Sequence, residues 1–124
     1  MTSWITVCDT CRRPDTDRTA DGPTDGSRFA ALVETAALTT DGQVKVRRHA
    51  CLMGCARACN VTIQAPGKTG YTLAGFSPDM DAAAGLVAYA AEHAESETGQ
   101  VPYRTWPQAV KGHFISRHPP LPVE

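Results

Sequence analysis

The five cysteines of the chain are its best candidates for chemistry, and they fall into two clusters. Cys8 and Cys11 form a pair, and Cys51, Cys55 and Cys59 follow at regular intervals later in the chain. A short spacing lets neighbouring thiolates turn inward onto one centre, as in four-cysteine zinc sites and [2Fe-2S] clusters. The spacing therefore indicates a metal centre held by two cysteine pairs, and it leaves open whether the metal is iron or zinc.

The overall composition favours a reduced, cytoplasmic setting for these thiols. The chain has 124 residues, of which 42% are hydrophobic and 20% charged, and its net charge is −1. It has no apolar run of the roughly 20 residues that a membrane helix needs, and its N-terminus lacks a secretory signal. Cytoplasmic cysteines stay reduced, and an odd number cannot all pair within one chain. We therefore expect a cytoplasmic protein with no membrane or nucleic-acid partner, because nucleic-acid binding needs a basic surface.

Each cysteine cluster follows a predicted strand. The β-branched run over residues 4–7 leads into Cys8, and the alternating run over residues 44–47 leads towards Cys51. Between them, apolar residues at helical spacing predict an amphipathic helix capped by Ser27. A strand–helix–strand crossover is right-handed with parallel strands, and parallel strands end at the same edge of a sheet. The two clusters are therefore expected to meet at that edge.

Two more strands and a second helix are predicted after the second cluster. The strands are residues 61–64 and 71–74, which are joined by a hairpin turn. Ser77 marks the helix start, since it can cap the first turn and precedes a proline, and Gly99 marks its stop. A short helix around residues 107–112 and an extended tail complete the chain.

The predicted order β-α-β-β-β-α, with a mixed sheet and a helix on each face, corresponds to a small α/β sandwich of the thioredoxin-like kind. We assign residues 1–100 to this metal- or cluster-binding domain. Residues 101–124 then form a C-terminal extension that packs on the domain or trails from it. Trp4 and Trp106 are predicted to be packing residues.

Several residues near the cysteines are candidates for supporting a metal centre. His49 lies just before the second cluster and can donate a hydrogen bond to the centre, or simply be exposed. Gly54 allows a tight turn within that cluster, so that backbone N–H groups can point at sulfur. Arg47, Arg48 and Arg57 would stabilise the reduced form of a negatively charged cluster or dock an acidic redox partner. The alternative for these arginines is that they are solvated surface charges.

The arrangement of these residues resembles a known bacterial family. The pattern that carries the resemblance spans nearly the whole chain and consists of Val7-Cys8-x-x-Cys11, Cys51-Leu52-x-x-Cys55-x-x-x-Cys59, Gly67-Lys68 and Val101-Pro102-Tyr103-Arg104. It is similar to the family catalogued as domain of unknown function 1636, whose members are described only as predicted metal-binding proteins. That family is in turn similar to thioredoxin-like [2Fe-2S] ferredoxins, including the small ferredoxin-like subunit of respiratory complex I, which carry a Cys-Leu-x-x-Cys ligand loop.

The resemblance implies that Cys51 and Cys55 are ligands and that Cys8 and Cys11 supply the first ligand pair. It favours a [2Fe-2S] cluster over zinc. The first pair is spaced more closely here than in those ferredoxins, and Cys59 stands where the complex I subunit commonly has proline. The resemblance therefore gives Cys59 no role, and we predict either an alternative ligand or a small buried residue.

The expected function is that of a small, non-enzymatic, ferredoxin-like protein in electron transfer or redox sensing, with an unidentified redox partner protein. Related ferredoxins suggest that it could form a homodimer. One alternative is a zinc-binding or metal-trafficking module without a redox role, which the gene neighbours of some family members connect with cobalt and cobalamin metabolism. Another is a thiol–disulfide oxidoreductase acting through Cys8 and Cys11. Such enzymes place the reactive cysteine at a helix N-terminus, whereas a polar loop follows here.

Overall fold

The computed structural model describes residues 2–10, 24–50 and 59–121. These ranges contain a mixed α/β arrangement of strands and helices in the order β-α-β-β-β-α-β. The elements are β1 (Ser3–Cys8), α1 (Asp25–Ala37), β2 (Val44–His49), β3 (Val61–Gln64), β4 (Gly70–Leu73), α2 (Met80–Glu95) and β5 (Phe114–His118). Short 3-10 turns occur at Leu38–Thr40, Tyr103–Thr105 and Gln108–Val110.

The five strands form one mixed sheet in the order β2-β1-β3-β4-β5. β1 and β2 are parallel, with Ser3 opposite Val44 and Cys8 opposite His49. All other neighbours are antiparallel, with Val7 opposite Val61 in the next pair. The crossover through α1 therefore brings the ends of β1 and β2 to the same edge, as the sequence predicts.

The C-terminal residues contribute a strand that the sequence does not predict. Residues 114–118 form β5 and pair with β4, where an extended tail was expected. The strand is hard to recognise because it lies at the edge of the sheet, is largely exposed, and is followed by two prolines. The short helix expected around residues 107–112 is reduced to the 3-10 turn Gln108–Val110.

Both helices pack on the same face of the sheet, so the prediction of one helix on each face is wrong. α1 and α2 contact each other and also contact β1 and β2. The cause lies in the strands, whose aliphatic core residues, including Ile5, Val7, Val61 and Ile63, lie on one face. An antiparallel or mixed sheet of this kind needs cover on its apolar face alone.

The helix starts are shifted from their predicted positions because other side chains cap them. Thr24, rather than Ser27, caps α1, and its hydroxyl accepts a hydrogen bond from the Ser27 N–H at 3.0 Å. Asp79, rather than Ser77, caps α2, and its carboxylate accepts from the Ala82 N–H at 2.8 Å. In both cases a side-chain oxygen accepts a hydrogen bond from the backbone N–H three residues later, which has no acceptor within the helix.

A buried polar network closes the far end of α2. Lys68 Nζ donates to the carbonyl oxygens of His93 and Ala94 at 3.0 and 2.6 Å, and so caps the helix. His93 Nε2 donates to the Thr69 carbonyl at 2.7 Å, which leaves Nδ1 to accept from the Ser3 hydroxyl at 2.6 Å. Burial lowers the pKa of both Lys68 and His93. This network ties α2 to the start of β1, opposite the end where Cys8 lies.

The lowered pKa of His93 predicts that stability falls as the pH is lowered below about 6.5. In the unfolded chain the imidazole takes up a proton near that pH, whereas in the folded protein desolvation keeps it neutral to lower pH. Folding therefore loses stability as the pH falls from the unfolded pKa towards the folded one, by at most about 1.4 kcal/mol per pH unit. Urea unfolding from pH 8 to pH 5 measures the slope. His93→Gln should reduce it, and the exposed-site change His118→Gln should not; equal slopes in all three proteins would contradict the prediction.

Candidate metal centre

The ends of β1 and β2 form the edge of the sheet at which the cysteine clusters were expected to meet. Cys8 is the last residue of β1 and lies opposite His49, the last residue of β2. The pairing continues for one more residue, because the Asp9 N–H donates to the His49 carbonyl at 3.1 Å. Cys8, the first residue of the first cluster, therefore lies beside His49, which is two residues before Cys51.

Two threonine hydroxyls fasten the chain just beyond these strand ends. Thr10 Oγ1 donates to the carbonyl oxygen of Ala50, the residue before Cys51. Thr24 Oγ1 donates to the carbonyl oxygen of Asp9 while it also caps α1. The segment that follows β1 and the segment that follows β2 therefore begin at the same place. The segment after β1 also ends there, because Thr24 is hydrogen-bonded to Asp9.

Cys8 is fully buried at this edge. Its backbone N–H donates to the carbonyl of Asn60, the residue before β3, at 3.1 Å, so Cys8 is held from the side opposite β2. Its Sγ lies 3.8 Å from Thr10 Oγ1. Because Thr10 gives its hydroxyl proton to Ala50, a protonated Cys8 thiol would be the donor of that contact.

The first turn of α1 packs directly on the backbone of Cys8. A Cβ placed on Gly26 would lie 2.0 Å from the Cys8 carbonyl oxygen and 3.2 Å from the Asp9 Cα. Only glycine permits this approach of helix to strand. Gly26 and Thr24 therefore fix the position of Cys8. The sequence offers a signal for the cap, a hydroxyl followed by an acid, but none for the close contact.

Cys59 is buried in the hydrophobic core, and the next residue, Asn60, accepts a backbone hydrogen bond from Cys8. Cys59 exchanges backbone hydrogen bonds with Phe76 at 3.2 and 3.4 Å. The Phe76 ring stacks on Phe29 of α1, with 5.3 Å between the ring centroids. This environment suits the predicted role of a small buried residue, while the role of alternative ligand stays a prediction.

The remaining predicted ligands lie outside the described residues, as do two of the predicted supporting residues. These are Cys11, Cys51 and Cys55, together with Gly54 and Arg57. Within residues 2–10, 24–50 and 59–121, no three His, Cys, Asp or Glu side chains come together as a group that could hold a metal. Of the four predicted ligands, the structure therefore describes Cys8 alone, together with the strand ends after which the two clusters follow.

The two arginines at the end of β2 point to opposite faces of the sheet. Arg48 lies on the helix side, where its guanidinium donates to the Glu34 carboxylate at 2.7 and 3.3 Å and to Ser27 Oγ at 3.2 Å. The hydrogen bond to Glu34 raises the pKa of Arg48. Arg47 lies on the uncovered side, where Nε donates to Thr6 Oγ1 at 2.6 Å. The charge of Arg48 is therefore compensated by an acid, and Arg47 faces away from the helices.

Comparison with known proteins gives a family for this chain. Residues 5–120 match a family model described as a protein of unknown function (DUF1636). The chain belongs to DUF1636. The match runs from β1 to the residue after Pro119 and includes all five cysteines, so the predicted family membership is confirmed. No curated protein and no solved structure matches the chain.

The DUF1636 assignment carries no statement of activity, and the similarity to [2Fe-2S] ferredoxins stays a prediction. Among the described residues of this DUF1636 protein, no helix is both long and apolar enough to cross a membrane.

Proposed function

We propose that this protein is a small ferredoxin-like electron carrier or redox sensor. It binds a [2Fe-2S] cluster through Cys8, Cys11, Cys51 and Cys55, and its sheet and helices are a thioredoxin-like scaffold for that cluster. Four thiolates from two short segments are the donor set that such clusters take.

The hydrogen bond between Thr10 Oγ1 and the Ala50 carbonyl oxygen is the observation that carries the proposal. Cys11 directly follows Thr10 in the chain, and Cys51 directly follows Ala50. Because consecutive Cα atoms are only about 3.8 Å apart, chain connectivity limits how far these two cysteines can be from each other. A centre with ligands from both clusters requires this proximity.

The surroundings of Cys8 support its role as a ligand. Its pairing with His49 of β2 and its hydrogen bond to the Asn60 carbonyl hold it on a strand end, and a ligand on a rigid element keeps the geometry of a metal site. Its full burial limits the access of water, which is one of the factors that set the reduction potential of such a centre. Thr10 provides a hydroxyl 3.8 Å from the sulfur.

When bound, a [2Fe-2S] cluster accepts and returns an electron. The part of the chain itself is to hold thiolates at a buried edge and to place cationic groups near their negative charge. Arg47 lies two residues before the end of β2, on the face towards which Cys8 alternates. Arg48 contributes less, because Glu34 already compensates it.

The proposal predicts a coloured protein when purification excludes air. We expect visible charge-transfer absorbance and about two iron and two acid-labile sulfide per chain, as a [2Fe-2S] centre requires. Cys51→Ser and Cys55→Ser should each lose the colour, the iron and the sulfide, because serine is a poor ligand for these metals. The measurements are the visible spectrum and the iron, zinc and sulfide content of protein from cells supplied with both metals.

The same measurements test the alternatives. A colourless protein that holds zinc without sulfide would overturn the proposed function and favour the zinc module. Retention of the cluster in both serine variants would contradict the ligand set.

A further inference from the structure

The face of the sheet opposite the helices is an organised surface. By strand alternation it carries Trp4 and Thr6 of β1, Lys45 and Arg47 of β2, and Gln64 of β3. Both helices lie on the other side, and none of the described helices covers this one. The Trp4 side chain is 38% exposed, although tryptophan was predicted to pack here.

The charges of this face are of one sign. Lys45 and Arg47 are exposed on it, and the described strand positions that point to this side carry no carboxylate. Acids collect instead on α2 and at its ends, on the other side of the sheet, at Asp79, Asp81, Glu92, Glu95 and Glu97. Among the described residues, the cations Lys45 and Arg47 therefore lie on one side of the sheet and the acids of α2 lie on the other.

The guanidinium of Arg47 is held in a fixed position. Nε donates to Thr6 Oγ1 at 2.6 Å, and Nη2 donates to Gln64 Oε1 at 3.4 Å. Beside it, a cavity of about 330 Å³ is lined by Trp4, Arg47, Gln64, Ala65 and Pro66. Lys45 Nζ lies 5.7 Å from the centre of the Trp4 ring. An arginine that is already ordered loses less side-chain entropy when it binds a carboxylate.

We propose that this face, which we call the cationic sheet face (Trp4, Lys45, Arg47 and Gln64), docks an acidic surface of a different protein. Exposed tryptophan and arginine are the residue types that most often dominate binding energy at interfaces. The docked protein would be the redox partner of the cluster at the Cys8 end of β1, and in that respect the proposal rests on the proposed function. Trp4 and Cys8 alternate to the same face of β1, four residues or about 13 Å apart.

A second copy of the chain fits this face less well. Two cationic sheet faces would repel each other in a symmetric pair. Contact between one cationic sheet face and the acidic α2 of another copy would be head-to-tail, and such contacts propagate unless the rotation closes a ring. The charge separation therefore favours an acidic partner of another kind.

Binding of an acidic peptide to the intact protein tests the proposal. The probe is a 20-residue helical peptide with glutamate on one face, and the control probe has glutamine in place of each glutamate. We expect NMR shift changes at Trp4 and Arg47 with the acidic probe only, weakening steeply as salt is raised. Lys45→Glu with Arg47→Glu should weaken binding by at least about tenfold, which corresponds to about 1.4 kcal/mol.

The matched control is Arg104→Glu with Lys111→Glu. It makes the same change of charge at exposed or half-buried sites elsewhere, where Lys111 Nζ lies 4.8 Å from the centre of the Tyr103 ring. This variant should bind the acidic probe within about twofold of the unaltered protein. Equal loss in both double variants, or no binding in the unaltered protein, would overturn the proposal.

Two further measurements distinguish an acidic partner protein from other molecules that this face could bind. Tighter binding of a single-stranded DNA of equal charge, or self-association that Arg47→Glu abolishes, would also overturn it. Peptide binding by a protein that proves to hold zinc would support the docking surface and overturn only the proposed redox function.

Discussion

Gly26→Ala should lower the free energy of unfolding by about 3 kcal/mol or more, which is at the upper end for overpacking. An ordinary Gly→Ala change inside a helix raises stability, because alanine favours the helix over glycine by about 1 kcal/mol. Here we expect the opposite. The added Cβ would meet the Cys8 carbonyl oxygen at 2.0 Å, and a strand backbone cannot rotate away as a side chain can. α1 would have to move off the cysteine-bearing edge, so metal content should fall together with stability.

Urea unfolding and metal analysis check this prediction, with Gly112→Ala as the control. Gly112 has a φ of 85°, and no atom lies within 4 Å of a Cβ built on it. Its replacement should therefore cost only the strain of a left-handed residue, about 1 kcal/mol, and leave the metal content unchanged. Equal destabilisation by the two changes would show that α1 has room to shift.

Cys8→Ser should remove the proposed metal centre. Changes in groups that merely support a ligand weaken metal binding by about 10- to 100-fold, so the loss of a ligand itself should exceed that range. Metal content after dialysis against a chelator, together with the visible spectrum, measures the effect. Circular dichroism on the same sample shows whether β1 is still folded, which separates the loss of a ligand from the loss of the fold.

Cys59→Ala is the matched control for Cys8→Ser, because both residues are fully buried cysteines. Removing a sulfur from the core should cost about 1 kcal/mol and leave the centre in place. Loss of the centre in Cys59→Ala with a folded protein would make Cys59 a ligand. Retention in Cys8→Ser would exclude Cys8 and require a different set of thiols.

The part of the site that depends on local pattern could be predicted from the sequence. Short β-branched and alternating runs lead into each cysteine cluster, and the single crossover between them requires that they end at one edge. The observed pairing of Cys8 with His49 agrees with that reasoning. The family pattern could also be recognised, since it consists of spaced cysteines and a few flanking residues.

The missed features depend on contacts between residues far apart in the chain. Thr10 and Ala50 are joined by a hydrogen bond across 40 positions, and no local signal marks either residue. Gly26 reads as an ordinary helical glycine until the backbone of Cys8 is beside it. The exposure of Trp4 follows from the placement of both helices on one face, which strand alternation allows but does not require.

The parallel pairing of β1 with β2 also sets the order of events during folding. Pairing strands about forty residues apart carries a large loop-closure cost, and non-local parallel pairs form slowly for that reason. A newly made chain consequently has its two groups of thiols well separated until the crossover is complete. Any metal that needs both groups would be captured late and would then stabilise the folded chain, so that metal supply and folding yield would rise and fall together.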